Sequence, residues 1–177
     1  MKSARRFGVI GLLGIIFLGS AGAKEKGEVT PPKTAGPQEV EVVGVVLDQQ
    51  TQQPMLLLQG KRDKRNLNMA IGFFEAERIA IPLQGVTPPR PLTHDLFLTL
   101  FGRLKVSLRQ VVITDLKDNI YYALVYLTAG DTEMTLDSRP SDAIALAIRA
   151  KAPILVEDRV FDKTTSTAPQ TAPTPHF

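Results

Sequence analysis

Two stretches of this chain hold polar residues that packing alone does not explain, and both are suited to anions. The first is Pro88-Pro89-Arg90-Pro91-Leu92-Thr93-His94-Asp95-Leu96; the second runs Asp137-Ser138-Arg139-Pro140-Ser141-Asp142 into Ala143–Arg149. In each, an Arg-Pro stands before a helical pattern, followed by a hydroxyl residue suited to capping and an Asp in the first turn. A helix N-terminus presents free backbone N–H groups and the positive end of the helix dipole, which together bind phosphate or carboxylate. A neighbouring guanidinium adds a permanently charged, bidentate donor. His94 is the only imidazole outside the C-terminal tail, where His176 lies.

The elements that must position these residues read from periodicity. Glu39–Asp48, Pro54–Gln59 and Leu67–Ile71 have the alternation or short apolar runs of strands, with Lys61-Arg62-Asp63-Lys64-Arg65 as a basic hairpin tip. Phe73–Leu83 switches to helical spacing through Ala76, Ile79, Ala80 and Leu83, with Pro82 near its end. Thr93–Lys105 is a second helix with Thr93 as N-cap and one stripe of Leu96, Phe97, Leu100, Phe101 and Leu104. Strands follow at Val106–Leu116, Asn119–Thr128 and Thr132–Leu136. A helix capped by Ser141 then runs to Ala150, apolar all round and therefore buried, before a closing strand at Pro153–Glu157. The halves match at an offset of 65, pairing Val46 with Val111, Met69 with Met134, Ile79-Ala80 with Ile144-Ala145 and Glu77 with Asp142. The fold class this predicts is α+β: duplicated βββα units forming one mostly antiparallel sheet, with helices packed on it.

The ends carry different information. Lys2, Arg5 and Arg6 precede an uninterrupted apolar run of twelve residues, Phe7–Leu18, and then Ala21 and Ala23 as a small-residue pair. That order is a cleavable signal peptide over residues 1–23, and a run of about 18 Å is short of a bilayer core of about 30 Å. The expectation is export to the periplasm or medium after cleavage near Ala23, with no stable membrane anchor. Residues 24–38 read as a flexible spacer, 39–162 as the folded domain, and 163–177, rich in Thr, Ala and Pro, as an unstructured tail. Cleavage removes all three excess cations, leaving 18 Lys+Arg against 18 Asp+Glu. A polyanionic partner must then be argued from local patches. With no cysteine, disulfides and thiolate chemistry are excluded.

The polar segments are also what carries a resemblance. Ile71-Gly72-Phe73-Phe74-Glu75-Ala76 through Leu83-Gln84-Gly85, Arg90-Pro91-Leu92-Thr93-His94-Asp95-Leu96, and Asp137 through Arg149 resemble the bifunctional nuclease domain family, over about residues 40–158. The departures, Pro82 in the first helix and polar Asn66 and Asn68, leave the polar motifs untouched. The resemblance implies a nuclease acting on the phosphodiesters of DNA and RNA, in a homodimer or higher oligomer.

Phosphodiester cleavage needs an activated nucleophile and positive charge on the phosphate oxygens. The candidate catalytic residues are His94, Asp95, Arg139 and Asp142, with Arg90 and Arg139 as phosphate binders. A single imidazole disfavours a two-histidine mechanism. Two routes stay open: His94 as base with arginine support, or a divalent metal such as Mg held by Asp137, Asp142 and Glu75. Structural alternatives stand beside these. Arg139 could be pinned to Asp137, Asp142 or Glu75, and Asp95 could serve the helix dipole. Lys61 and Arg62 could grip a nucleic-acid backbone or simply form a solvated tip. The rival function is a non-enzymatic envelope module that binds an anionic ligand or a protein partner at the same helix ends.

Overall fold

The computed structural model describes residues 36–166. The expected signal peptide, most of the expected spacer and the residues after 166 lie outside them. The elements are β1 (Gln38–Leu47), β2 (Pro54–Gly60), β3 (Asn66–Ala70), α1 (Phe73–Leu83), α2 (Thr93–Arg103), β4 (Val106–Lys117), β5 (Ile120–Ala129), β6 (Thr132–Ser138), α3 (Pro140–Ala150), β7 (Ile154–Val156) and α4 (Asp158–Ser166).

All seven strands join one sheet in the order β3-β2-β1-β7-β4-β5-β6. Two antiparallel meanders, each followed by a helix, flank the short β7 in mirrored order, as the repeat predicts. β7 closes the seam, antiparallel to β1 (Glu39↔Leu155) and parallel to β4 (Val112↔Leu155). The sheet is therefore mixed, with one parallel pairing. Alternate residues such as Leu56, Leu58, Val111, Ile113, Ala123 and Val125 form one core with Ile79 of α1 and Ile144 of α3. Each fully buried Leu or Ile contributes about 1.5–3 kcal/mol. α3 buries Pro140, Ser141 and all of Ala143–Ala147, and its alanines let it lie close on the strands. That firm seating makes its N-terminus a rigid mount for whatever side chains it carries.

Three expectations are revised. The stripe on α2 faces outward: Leu96, Phe97, Leu100 and Leu104 are exposed, only Phe101 packs against the core, and His94 is the helix's buried residue. Spacing identifies a face but not its partner, and here α2 serves as the outer wall of a cavity. The capping positions also shift by one or two residues. Leu92 and Arg139 are the N-caps, with Thr93 and Pro140 already helical, as suits proline at a first helical position.

The third revision is α4, which continues to Ser166, past the expected end of the folded part at 162. Val160 and Phe161 enter the core. The Arg65 guanidinium lies 4.4 Å over the Phe161 ring and binds both Asp63 and Asp158. Arg62 also reaches Asp158, and Lys163 holds Asp115 on β4. The Lys163 hydrogen bond is the main reason the buried Asp115 carboxyl titrates at about 2. Thr and Lys after Asp162 read as tail by composition, yet their helix is fixed by contacts from β2–β3 and β4. No helix among the described residues is long and apolar enough to cross a membrane.

Candidate active site

Three helices bring four polar side chains into one chain of contacts. α2 supplies His94, whose Nε2 stands 3.3 Å from Asp142 Oδ1 on α3. The other oxygen of Asp142 accepts from Arg139 Nε at 2.8 Å, one helical turn away. Arg139 Nη1 donates to Glu75 Oε1, on the first turn of α1, at 2.9 Å. Arg139 sits at the N-cap in extended backbone, followed by Pro140, so its side chain leaves the helix end sideways toward α1. Its Nη2 has no partner among the described residues, and the side chain is 64% exposed. The carboxylates raise its pKa further, Asp142 foremost, so the cation is permanent.

The helix end itself offers less than its sequence suggests. Pro140 has no N–H, and the N–H groups of Asp142 and Ala143 both donate to the Arg139 carbonyl. Anion binding at this end therefore falls on the guanidinium rather than on a ring of backbone donors.

His94 is 5% exposed, and burial is the main cause holding its pKa below the ordinary histidine value of 6.5. The hydrogen bond and charge of Asp142 oppose that shift, while Arg149 and Arg78 reinforce it. At neutral pH the ring is neutral. Nε2 faces a carboxylate and so carries the proton, which leaves Nδ1 as the unprotonated atom. Nδ1 is buried without a hydrogen-bond partner among the described residues.

Asp95 belongs to the scaffold. Its Oδ2 accepts from the Leu92 N–H and its Oδ1 from Arg149 Nε, both at 2.8 Å. Arg149 Nη1 then donates to the carbonyls of Arg78 and Ala145, tying α1, α2 and α3 together around His94. Both oxygens of Asp95, expected as a catalytic residue, are engaged in these contacts, and Asp95 lines neither of the cavities described below. Arg149 went unassigned in the sequence, although it ends the second polar segment at a spacing that returns it to α2.

The other expected residues separate. Arg90 is exposed on the loop before α2 and lines neither cavity. Lys61 pairs with Glu39 and Arg62 with Asp158, so the hairpin tip anchors β1 and α4. Asp137 lines the same cavity as Asp142, but among the described residues no three His, Cys, Asp or Glu gather as a metal set. The Arg139 guanidinium stands between Glu75 and Asp142, where a divalent cation would need to sit. The residues present do not fit the expected metal site.

Two cavities open beside the cluster. One of about 420 Å³ lies between α2, α3 and the β5–β6 edge, lined by His94, Phe97, Phe101, Val125, Leu136 and Asp142 among others. Phe97 and Phe101 meet edge to face, 6.2 Å between centroids. The second, of about 470 Å³, is lined by Gln53, Gly72, Glu75, Asn119 and Ser141 among others. Arg139 is the one residue common to both linings. Phe97 was legible only as one member of an apolar stripe.

This geometry belongs to a chain with recognisable relatives. Residues 56–169 match the family model described as the bifunctional nuclease domain. An uncharacterised protein of Mycobacterium tuberculosis (strain H37Rv) is 45% identical over 124 residues, covering 70% of this chain and 73% of the relative. Bifunctional nuclease 1 of Oryza sativa subsp. japonica is 37% identical over 81 residues, covering 44% of this chain and 24% of the relative. A bifunctional nuclease of Oryza minuta matches to the same extent.

Proposed function

This chain belongs to the bifunctional nuclease domain family, and on that premise we propose that it hydrolyses phosphodiester bonds of RNA or DNA at the Arg139 cluster. The observation that carries the reading is Arg139 itself: two of its nitrogens are fixed by carboxylates while the third is open between two cavities. A guanidinium so held is preorganised to take a non-bridging phosphate oxygen without reorganising. His94 accepts the proton of the attacking water on Nδ1 once the ring turns that nitrogen toward the cavity it lines, with Asp142 balancing the imidazolium charge. As the new P–O bond forms, the ester P–O bond breaks and the leaving oxygen takes a proton from solvent. These groups address phosphate and ring faces that every nucleotide carries, which supports broad specificity.

Export is part of the proposal, resting on the leader at residues 1–23, and makes the substrate nucleic acid of the periplasm or medium. N-terminal sequencing of the mature protein from those fractions checks it. Self-association rests on the exposed Leu96, Leu100 and Leu104 of α2, and light scattering checks it.

The test is hydrolysis of labelled RNA and DNA by the purified protein, with loss of activity in a folded Arg139→Ala variant. Activity that persists in that variant overturns the assignment. Because Arg139 occupies the place of a cation, activity is expected to survive chelation; a requirement for Mg would return a metal to the scheme. One observation favours the protein-binding form of the rival envelope module: two carboxylates flank the Arg139 cation, leaving this group of three net negative and less favourable to a polyanion. Stable binding of a protein partner with no turnover is its signature.

A further inference from the structure

A nuclease site must hold the groups on both sides of the phosphate it cuts, and the two cavities share a single wall at Arg139. Their volumes, about 420 and 470 Å³, lie within the range of about 300–1,000 Å³ that encloses small ligands. They differ in chemistry. The α2 side offers the half-exposed ring of Phe97, braced by Phe101, opposite the half-exposed Leu136 on β6. The other side offers the amide of Gln53, a group that reads the polar edge of a base.

In a duplex the bases face each other across the helix axis, so none is available to enter a recess beside its own backbone. Only a base out of the stack can do so. We propose that the substrate at this site is a single strand: its phosphate lies on Arg139, one base rests against Phe97, and the neighbouring nucleoside occupies the amide-lined cavity. The inference rests on the nuclease reading for the kind of polymer and adds its strandedness and the residue that stacks it. Phe97 is thereby a binding residue, at a position that makes little contact with the core.

The test compares a fluorescein-labelled oligodeoxynucleotide with its own duplex, followed by both anisotropy and hydrolysis. The single strand is expected to bind and react about tenfold better or more, since the duplex must first give up a base. Phe97→Ala is expected to weaken single-strand binding about fivefold or more, and Phe97→Trp to restore it. Circular dichroism confirms that both variants fold. Equal handling of single strand and duplex, or a Phe97→Ala variant that binds as the parent does, overturns the inference and leaves the nuclease reading standing. Phe97-dependent binding of the single strand with no hydrolysis supports the inference about the occupant and removes the nuclease reading.

Discussion

Arg65 and Arg139 are the same chemical arrangement used to opposite ends. Each is a guanidinium held between two carboxylates from different elements: Asp63 and Asp158 for Arg65, Asp142 and Glu75 for Arg139. Around Arg65 the arrangement is closed. Phe161 covers one face, Asp162 stands near the remaining nitrogen, and the side chain is 30% exposed. Around Arg139 it is open, 64% exposed, with one nitrogen unpartnered among the described residues and a cavity on either side. Motif and ion-pair geometry do not separate a clamp from a site. What separates them is whether a donor remains for something the protein does not itself supply.

Exchanging the two removals tests that comparison most severely. Arg139→Ala is expected to lower kcat/KM about 10²–10³-fold while leaving the melting temperature within a degree or two of the parent. Its salt bridges are largely solvent-exposed and contribute little to stability. Arg65→Ala is expected to do the reverse. It leaves Asp63 partly buried without its cation, leaves Asp158 with Arg62 alone and uncovers Phe161, costing about 2 kcal/mol of stability with kcat of the folded fraction unchanged. Calorimetry and hydrolysis on both variants give four values. A stability loss in Arg139→Ala as large as that in Arg65→Ala would make both arginines clamps.

The pH dependence sharpens the open half. His94 titrates below 6.5 because it is buried, and it accepts a proton only when neutral. Activity is therefore expected to rise with pH through a midpoint below 6.5 and to be flat above it. Stability follows the same direction. The neutral ring contributes fully above the unfolded value near 6.5, and that contribution is lost as pH falls through the lower folded value. Asp142 holds the His94 value up, so Asp142→Asn is expected to move the midpoint lower still. His94→Gln is expected to remove the limb and lower kcat about 10²-fold. A midpoint at or above 6.5 in the parent assigns the proton transfer to another group.

The sequence made the open arrangement visible and hid the closed one, for physical reasons. Arg139, Asp142 and Pro140 lie within one helical turn, so their mutual geometry follows from helix spacing, and the resemblance pointed to the same segment. The strands and the mirrored repeat follow from period-two alternation carried in two copies. His94 meeting Asp142, by contrast, joins residues 48 apart, and nothing in the spacing of α2 shows that its imidazole, rather than its leucines, turns inward. The same blindness left the basic tip at Lys61–Arg65 open between a nucleic-acid grip and a solvated tip. Arg62 finds Asp158 across 96 residues, on a helix whose residues after Asp162 read as tail. Local chemistry is legible in one dimension; which charges neutralise which is a property of the packed chain.

The smallest expected effect probes what keeps Arg139 in place rather than Arg139 itself. Gly72 precedes α1, and a Cβ there would collide with the Glu75 carboxylate folded back over it. Gly72 has φ −73° and ψ 162°, an extended backbone that alanine adopts without strain. Gly72→Ala should therefore act through contact alone, pushing aside a flexible carboxylate and releasing Arg139 Nη1. Folding stability is expected to stay within about 0.5 kcal/mol of the parent, since the displaced pair is exposed. Catalysis is expected to fall severalfold, because a guanidinium tethered only through Asp142 must lose side-chain freedom when it takes the phosphate. Glu75→Gln, which keeps the shape and weakens the pairing, is expected to lie between Gly72→Ala and the parent. If Gly72→Ala leaves kcat/KM unchanged, the second carboxylate is dispensable, and the resemblance between the Arg139 and Arg65 arrangements ends at Asp142.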